Sequence, residues 1–564
     1  MTENNISFFL GKYESPVLDA LNKMRRNNVI ARIWACDHTV WKPAPDEIVN
    51  RLGWLGAPTE TLEKLPSIKN TLESFGNSSI KDVVLLGMGG SSLAADVFNK
   101  ILGSRAGYPQ LHILDTTDPG IIFRMTQKLE WEKTVFLVSS KSGTTLEVTS
   151  LFQYFFNLTL KKLGNVAGSH FILITDEGSP MVKTAQELSL RHTFLNNPAI
   201  GGRYSALSLS GIVPATIIGS DVEKLLQNAL ASAQREKAEF FSGKLEATGC
   251  VLGAVLGLLS QKGRDKLTLI MPPHWRPFGD WLEQLVAEST GKEGKGILPV
   301  LNEPPTPVQA YGKDRVFVTF QESENDSTPI VEELISAGHP MVTIRLNDSY
   351  DLGGQMFLWE MATAVAAHIM GINPFDQPDV EATKTHTSRM IAQYRKTKEL
   401  PEPPPALATS ECSVYGDFKG SSAVEALAGF LNQAKTGDYV CLQVFLSPSP
   451  EIDEVLLKLR GTIPAKYRLA VTLGYGPRYL HSTGQLHKGD SGNGLFIQLT
   501  ANALIDVDIP DRIGSADSTL TFGMLKAAQA LGDWQALCDA GRRIIRFHWK
   551  TNAATGLKTL AAGL

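Results

Sequence analysis

From Asp82 onward, short apolar runs alternate with stretches of helical periodicity. The runs Val83–Gly87, Leu111–Asp115, Val135–Ser139 and Phe171–Thr175 predict strands, each followed by enough chain for a crossover helix. That alternation predicts βαβ units and a mainly parallel, doubly wound sheet. Residues 222–264 read as helix. A second alternating region follows, with predicted strands Leu267–Met271, Val316–Thr319 and Val342–Arg345, and then a helical pattern over Gly354–Met370. Residues 1–80 are polar and mostly helical in pattern, with Trp34, Trp41 and Trp54 as packing anchors. The run ELPEPPP, Glu399–Pro405, predicts an extended linker, because consecutive prolines cannot continue a helix. Beyond it, Tyr439–Phe445, Leu469–Leu473 and Leu495–Leu499 read as strands, and Glu451–Arg460 and Thr521–Leu531 as helices. The expected organisation is a helical N-terminal region (1–80), two similar α/β units (81–221 and 222–400) and a smaller α/β appendage (401–564).

Composition narrows the class. A chain of 564 residues with 43% hydrophobic and 20% charged residues can bury several cores, which excludes a disordered chain or a small disulfide scaffold. The balance of 54 basic and 58 acidic residues leaves −4 and no basic field, so neither nucleic acid nor an anionic membrane is expected as a partner. Cys36, Cys250, Cys412, Cys441 and Cys538 lie far apart without CxxC or metal-ligand spacing, and are expected as buried free thiols in a reducing compartment. The first residues lack a signal-peptide pattern, and apolar runs such as Gly249–Leu259 fall short of the ~20 residues that span a bilayer. A soluble, cytoplasmic protein is the expectation.

Two loops carry the candidate chemistry. The first predicted strand runs into GMGGSS, Gly87–Ser92, where glycines such as Gly90 let backbone N–H groups approach an anion, with Ser91 beside them. The third runs into SKSGTT, with hydroxyls from Ser140, Ser142, Thr144 and Thr145 and a point charge from Lys141. Both loops lie where strand ends meet helix starts, the crevice in which open α/β sheets collect ligands. Neither matches a dinucleotide or Walker motif, and hydroxyls with one lysine suit a monophosphate. A purely structural alternative is a capping box, with Thr144 at the N-cap and Glu147 three residues on.

GMGGSS followed by SKSGTTLE resembles the sugar-isomerase (SIS) domain, a flavodoxin-like phosphosugar-binding fold. Further motifs narrow the resemblance to the phosphoglucose isomerase family: GGRYSALS (Gly201–Ser208), AESTGK (Ala287–Lys292) and NPFDQPDVEATK (Asn373–Lys384). DHTVWK (Asp37–Lys42) and GYGPRYLHSTGQLHKG (Gly474–Gly489) resemble the isomerase half of transaldolase/phosphoglucose isomerase fusions, and no segment resembles the transaldolase barrel. The resemblance implies two SIS units and a reversible aldose–ketose isomerisation of glucose 6-phosphate and fructose 6-phosphate, a step of glycolysis and gluconeogenesis. It implies Glu288 as the base, Arg203 at the enediolate, Lys384 near the ring oxygen and Gln284 around the phosphate. Bland alternatives are a structural ion pair for Arg203 and an i,i+3 pair of Lys384 with Glu381. No metal or other cofactor is expected.

The ring-opening histidine departs from the family order. The stretch Gly296–Arg315, where the family usually places it, contains no histidine. LHSTGQ, Leu480–Gln485, matches a run carried by bacterial isomerases and makes His481 the candidate, with His487 as runner-up and His38 and His386 as poorer ones. By resemblance the histidine often comes from a neighbouring subunit, so a homodimer is expected. The alternatives are another phosphosugar isomerase, including one that also accepts mannose 6-phosphate, and a non-catalytic SIS-type sugar-phosphate sensor.

Overall fold

The computed structural model describes residues 6–76, 78–238, 248–322 and 329–564. The N-terminal region is not wholly helical, because it contributes strand β1 (Ile6–Phe9) to the second of three main sheets. The first sheet contains β2 (Asp82–Leu86), β3 (Gln110–Leu114), β4 (Thr134–Ser139), β5 (Phe171–Asp176) and β6 (His192–Asn196). Its order is β3-β2-β4-β5-β6, and every pair is parallel. Alternate side chains feed two cores: Val83, Leu85, Val135 and Leu137 enter one, and Val84, Leu86, Phe136 and Val138 the other. Both faces are therefore covered, which explains strands without polar alternation. The chain leaves β2 toward one edge and β4 toward the other, so the loops after these neighbouring strands diverge and open a crevice.

The second sheet combines β7 (Lys266–Ile270), β8 (Leu298–Leu301), β9 (Arg315–Gln321) and β10 (Met341–Arg345) in the order β1-β10-β9-β7-β8. All pairs are parallel except β1 against β10. Within the stretch expected as one helix at 222–264, residues 239–247 lie outside the described residues, and helices Val222–Ala238 and Gly249–Gln261 flank them. The apolar run Gly249–Leu259 is a core helix laid against helix Asp351–Met370. A Cβ on Gly249, Gly253 or Gly257 would strike the carbonyl of Leu358, Ala362 or Ala366 respectively. Matched four-residue spacing on both helices thus sets their close approach. The tryptophan anchors close this core from the N-terminal side: Trp54 is fully buried, Trp41 donates Nε1–H to the Ala364 carbonyl at 2.8 Å, and Trp34 stacks on Phe357.

The part beyond the proline run is larger than an appendage. Its six strands are β11 (Leu407–Ala408), β12 (Cys412–Gly416), β13 (Tyr439–Phe445), β14 (Ala470–Tyr475), β15 (Gly494–Ala501) and, last in the chain, Arg543–Trp549, ordered β11-β12-(Arg543–Trp549)-β15-β13-β14. It has its own core around Val440, Leu442, Ile497 and Phe547. A hairpin (Asp508–Ile509 with Leu520–Thr521) and helix Phe522–Asp539 reach out to share the Phe-rich core of the first unit, through Ile509, Leu520, Phe522 and Leu525. Cys250, Cys412 and Cys441 are buried as expected, whereas Cys36 and Cys538 are exposed. Among the described residues, no helix is long and apolar enough to cross a membrane.

The three units meet at Arg478. It pairs with Asp96 at 3.0 Å and Asp115 at 3.1 Å from the first unit, and with Asp280 at 3.6 Å from the second. Beside it lies a cavity of about 230 Å³ lined in part by Asp280, Glu283, Arg460, Tyr475 and Ser482. The Ser482 hydroxyl donates to Glu283 Oε2 at 3.3 Å. Burial, with Asp280 adding to it, pushes the Glu283 carboxyl up from 4.5 to about 8.

This packing has two measurable consequences. Gly253→Ala forces the helix pair apart and costs about 1–3 kcal/mol, seen as a lower thermal midpoint. Because folding raises the Glu283 pKa, its contribution is fully favourable below the ordinary value of 4.5 and is lost as pH rises toward 8. Glu283→Gln therefore leaves the midpoint nearly unchanged at about pH 4 and raises it at about pH 8.5 in thermal scans across pH.

Candidate active site

The crevice of the first sheet holds the two loops. Gly89 has φ of +57°, and Gly90 lies so close to the Gly202 carbonyl that a Cβ there would strike it. Ser91 closes the 3-10 turn Gly89–Ser91 that leads into the next helix. On the second loop, Ser140 Oγ accepts the Gly143 N–H at 3.2 Å and lies 3.5 Å from Thr145 Oγ1, while Ser142 and Thr144 share a hydroxyl contact at 3.0 Å. Lys141 is drawn to Asp176 and donates to the Pro198 carbonyl at 2.9 Å. The capping box does not form. Thr145, not Thr144, occupies the N-cap of helix Leu146–Leu163, and its side chain makes no capping bond. Glu147 points elsewhere.

Arg203 sits in the 3-10 turn Gly202–Tyr204, only 4% exposed. The segment leading to it is braced by the N-terminal region, since Gly53 donates its N–H to Ala199 at 2.9 Å and Trp54 packs on Tyr204. Its guanidinium donates Nε–H to Ser289 Oγ (2.9 Å), Nη1–H to Glu288 Oε1 (2.8 Å) and Gln377 Oε1 (3.1 Å), and Nη2–H to the carbonyls of Pro374 (2.7 Å) and Asp376 (2.9 Å). All five donors are used. Glu288 lies near the end of helix Arg276–Thr290, and Gln284, one turn earlier, donates Nε2–H to its Oε2 at 3.1 Å. The same Gln284 nitrogen donates to the His481 carbonyl at 2.7 Å, and Gln284 lies against Gly89. Its remaining polar atom, the buried Oε1, has no hydrogen-bond partner among the described residues. Lys292, from the same motif, donates to the Asp376 carbonyl and carboxylate, and burial with Arg203 nearby pushes its pKa down to about 8.

His481 ends the 3-10 turn Arg478–His481 after β14. Its Nε2 lies 2.8 Å from Glu147 Oε1, which also accepts the Gln529 Nε2–H at 2.7 Å. Burial opposes the charged imidazole, but the Glu147 carboxylate outweighs it and holds the His481 pKa above its ordinary value. The LHSTGQ run is fastened by Gln485, which accepts the Asp379 N–H and donates to the Gly291 carbonyl, both at 2.9 Å.

The other histidines lie elsewhere. His487 is fully buried between the rings of Tyr479 and Phe496, and burial holds its pKa well below the ordinary value, so the runner-up is a neutral core residue. His38 meets the Pro43 carbonyl, and His386 pairs with Asp539. Lys384 lies near enough to His481 to oppose its protonation, yet its exposed ammonium pairs with Glu381 at 2.6 Å. Sequence reasoning did not select Gln377, Ser289 and Lys292, although all three fall inside quoted motifs. It offers Glu147 only within an alternative capping box, and for Gln529 the sequence holds no signal.

Comparison with known proteins fits this arrangement. The family described as phosphoglucose isomerase matches residues 60–300. The glucose-6-phosphate isomerase of Limosilactobacillus reuteri is 30% identical over 411 residues, covering 62% of this chain and 90% of the relative. That of Enterococcus faecalis is 26% identical, over 60% and 87%. Among solved structures, a hypothetical protein of Thermus thermophilus shares the fold with a TM-score of 0.57 at 24% identity, covering 69% of this chain and all of its own. A glucose-6-phosphate isomerase from Chlamydia trachomatis does so with a TM-score of 0.56 at 18% identity, over 68% and 87%. This chain therefore belongs to the phosphoglucose isomerase family.

Proposed function

We propose that this chain interconverts glucose 6-phosphate and fructose 6-phosphate by ring opening followed by proton transfer through a cis-enediolate. One observation carries the reading: Glu288 is held between Arg203 and Gln284, and Gln284 also holds the His481 backbone. A base, a permanent cation and a proton donor thus share one hydrogen-bonded frame.

The substrate phosphate is assigned to the hydroxyls of Ser140, Ser142 and Thr145, the N–H groups of the helix start, and the Gly90–Ser91 turn, with Lys141 as counter-charge. Gln284 is reassigned from the phosphate to the base, since its free atom is a carbonyl oxygen that a phosphate dianion would repel. His481 has Nε2 committed to Glu147, so Nδ1 serves the sugar. As an imidazolium it gives its Nδ1 proton to the ring oxygen as the C1–O5 bond breaks, the anomeric hydroxyl passes its proton to solvent water, and Lys384 lies nearby. Glu288 then takes the proton from C2 of the open aldose. The negative charge that develops on the enediolate oxygens is met by Arg203, which cannot lose its own proton. The O2 proton passes to O1, and return of the carbon-bound proton from Glu288 to C1 gives the ketose and restores the carboxylate.

Incubation with fructose 6-phosphate in deuterated water, followed by NMR, gives label at C2 of glucose 6-phosphate and C1 of fructose 6-phosphate. Glu288→Gln slows this exchange by about 10²–10⁴-fold. Labelled mannose 6-phosphate would widen the specificity, and no label at all would overturn the reading and leave a sensor. The homodimer expected by resemblance is not needed to complete this set, because every group comes from one chain. Specific activity should stay constant on dilution through any dimer dissociation followed by sedimentation.

A further inference from the structure

Helix Phe522–Asp539 is buried along most of its length, yet it carries a polar stripe on one face: Lys526, Gln529 and Asp533. Lys526 pairs with Asp118 of the first unit at 2.7 Å, and Ser447 donates its hydroxyl to the same carboxylate at 2.6 Å. Asp533 accepts the Tyr479 hydroxyl at 2.7 Å and the Lys488 ammonium at 2.6 Å, both within the glycine-rich His481 segment. Between them, Gln529 accepts the Thr117 hydroxyl at 2.8 Å and donates Nε2–H to Glu147 Oε1 at 2.7 Å. Thr117, Gln529 and Glu147 are all at least 95% buried.

We propose that Gln529 is a positioning residue for the His481–Glu147 pair, acting through a buried relay Thr117–Gln529–Glu147–His481. The inference rests on the isomerase reading and adds to it a residue from the last unit that never touches the sugar. The acceptor-only carboxylate fixes which end of the amide faces it, because a flipped amide would set oxygen against oxygen, and the Thr117 hydroxyl holds the other end by donating to Oε1. Gln529 therefore gives Glu147 a neutral donor beside the imidazole. In a buried site, such a donor stabilises the carboxylate anion and fixes the oxygen that orients the histidine ring. The other charged groups facing His481 are Glu288 from helix Arg276–Thr290 and Lys384 from helix Val380–Thr397, and the Lys526–Asp118 pair lies one turn along the stripe. None of these donates to Glu147 Oε1.

The test compares wild type with Gln529→Met, which keeps the shape without the N–H, Gln529→Glu, which sets a second carboxylate against Glu147, and Thr117→Val, which frees the amide. Two readouts are followed: the pH profile of kcat/KM, and the His481 ring signal in a protein carrying labelled histidine, assigned by its loss in His481→Gln. Gln529→Met should move the alkaline limb, along which the His481 imidazolium is lost, upward by at least about half a pH unit, roughly threefold in proton affinity, with KM changed less than about twofold. Gln529→Glu should move it further, and Thr117→Val in the same direction by less. The His481 titration should shift in step. A lower kcat or thermal midpoint with both titrations unchanged would make Gln529 merely structural and overturn the proposal, as would no change at all. If Gln529→Met does not fold, Gln529→Glu and Thr117→Val decide by the same criteria. A wild-type protein that is inactive on fructose 6-phosphate, yet shows the predicted His481 shifts, would sink the isomerase reading and leave the relay standing.

Discussion

The buried Arg203 guanidinium is the constraint on which the rest of the molecule depends. A charge taken out of water is tolerable only when all its donors are met, and here every acceptor belongs to the second unit: Glu288, Ser289, Pro374, Asp376 and Gln377. The turn that carries Arg203 belongs to the first unit. Separating the two would strand five donors and a carboxylate, so the frame of the proposed site and the fold are stabilised by the same bonds. Lys292 strengthens this arrangement by gripping Asp376, whose carbonyl Arg203 also uses.

The third unit is bound to this frame in a different way. It spreads its attachment over a shared apolar core, the Arg478 junction, and the Gln485 contacts to Asp379 and Gly291. The proline run does not dangle either, since Glu402 holds both the Tyr415 hydroxyl and Arg546. The histidine therefore arrives on a surface anchored to both other units, where its carboxylate partner and its backbone acceptor role are already set.

Strands buried on both faces were legible in the sequence, and TVFLVS of β4 is an example. Several missed elements fail that test for physical reasons, whereas β8 and β12 are buried but only four and five residues long. β1 is four residues long and lies antiparallel at an edge, and β6 is partly exposed. The final strand, RIIRFHW, hides its buried character because Arg546 is sandwiched against the rings of Tyr415 and Trp534. The resemblance of the quoted motifs pointed to Arg203, Glu288 and His481, which the fold does bring together. For Glu147 the sequence offers only an alternative cap, because its partner lies 334 residues away at His481. Local periodicity near Glu147 describes a helix start and nothing more. His487 shares the glycine-rich segment with His481 and stands as runner-up in the sequence, and the aromatic rings packed around it set it apart in the fold.

The placement of the histidine also fixes a timetable. Arg203, Glu288 and Lys384 have all been synthesised by residue 384, but Gln529 emerges about 145 residues later. At roughly 5–20 residues per second, that leaves roughly 7–30 seconds in which a nascent chain carries Arg203 and Glu288 but lacks the full set of contacts around His481. During that interval the first unit's Phe-rich face also waits for the hairpin and helix that will cover it. Completion of the contacts around His481 and concealment of that sticky surface are one late event, so a chain truncated before its last unit would lack the proposed acid and be prone to aggregate.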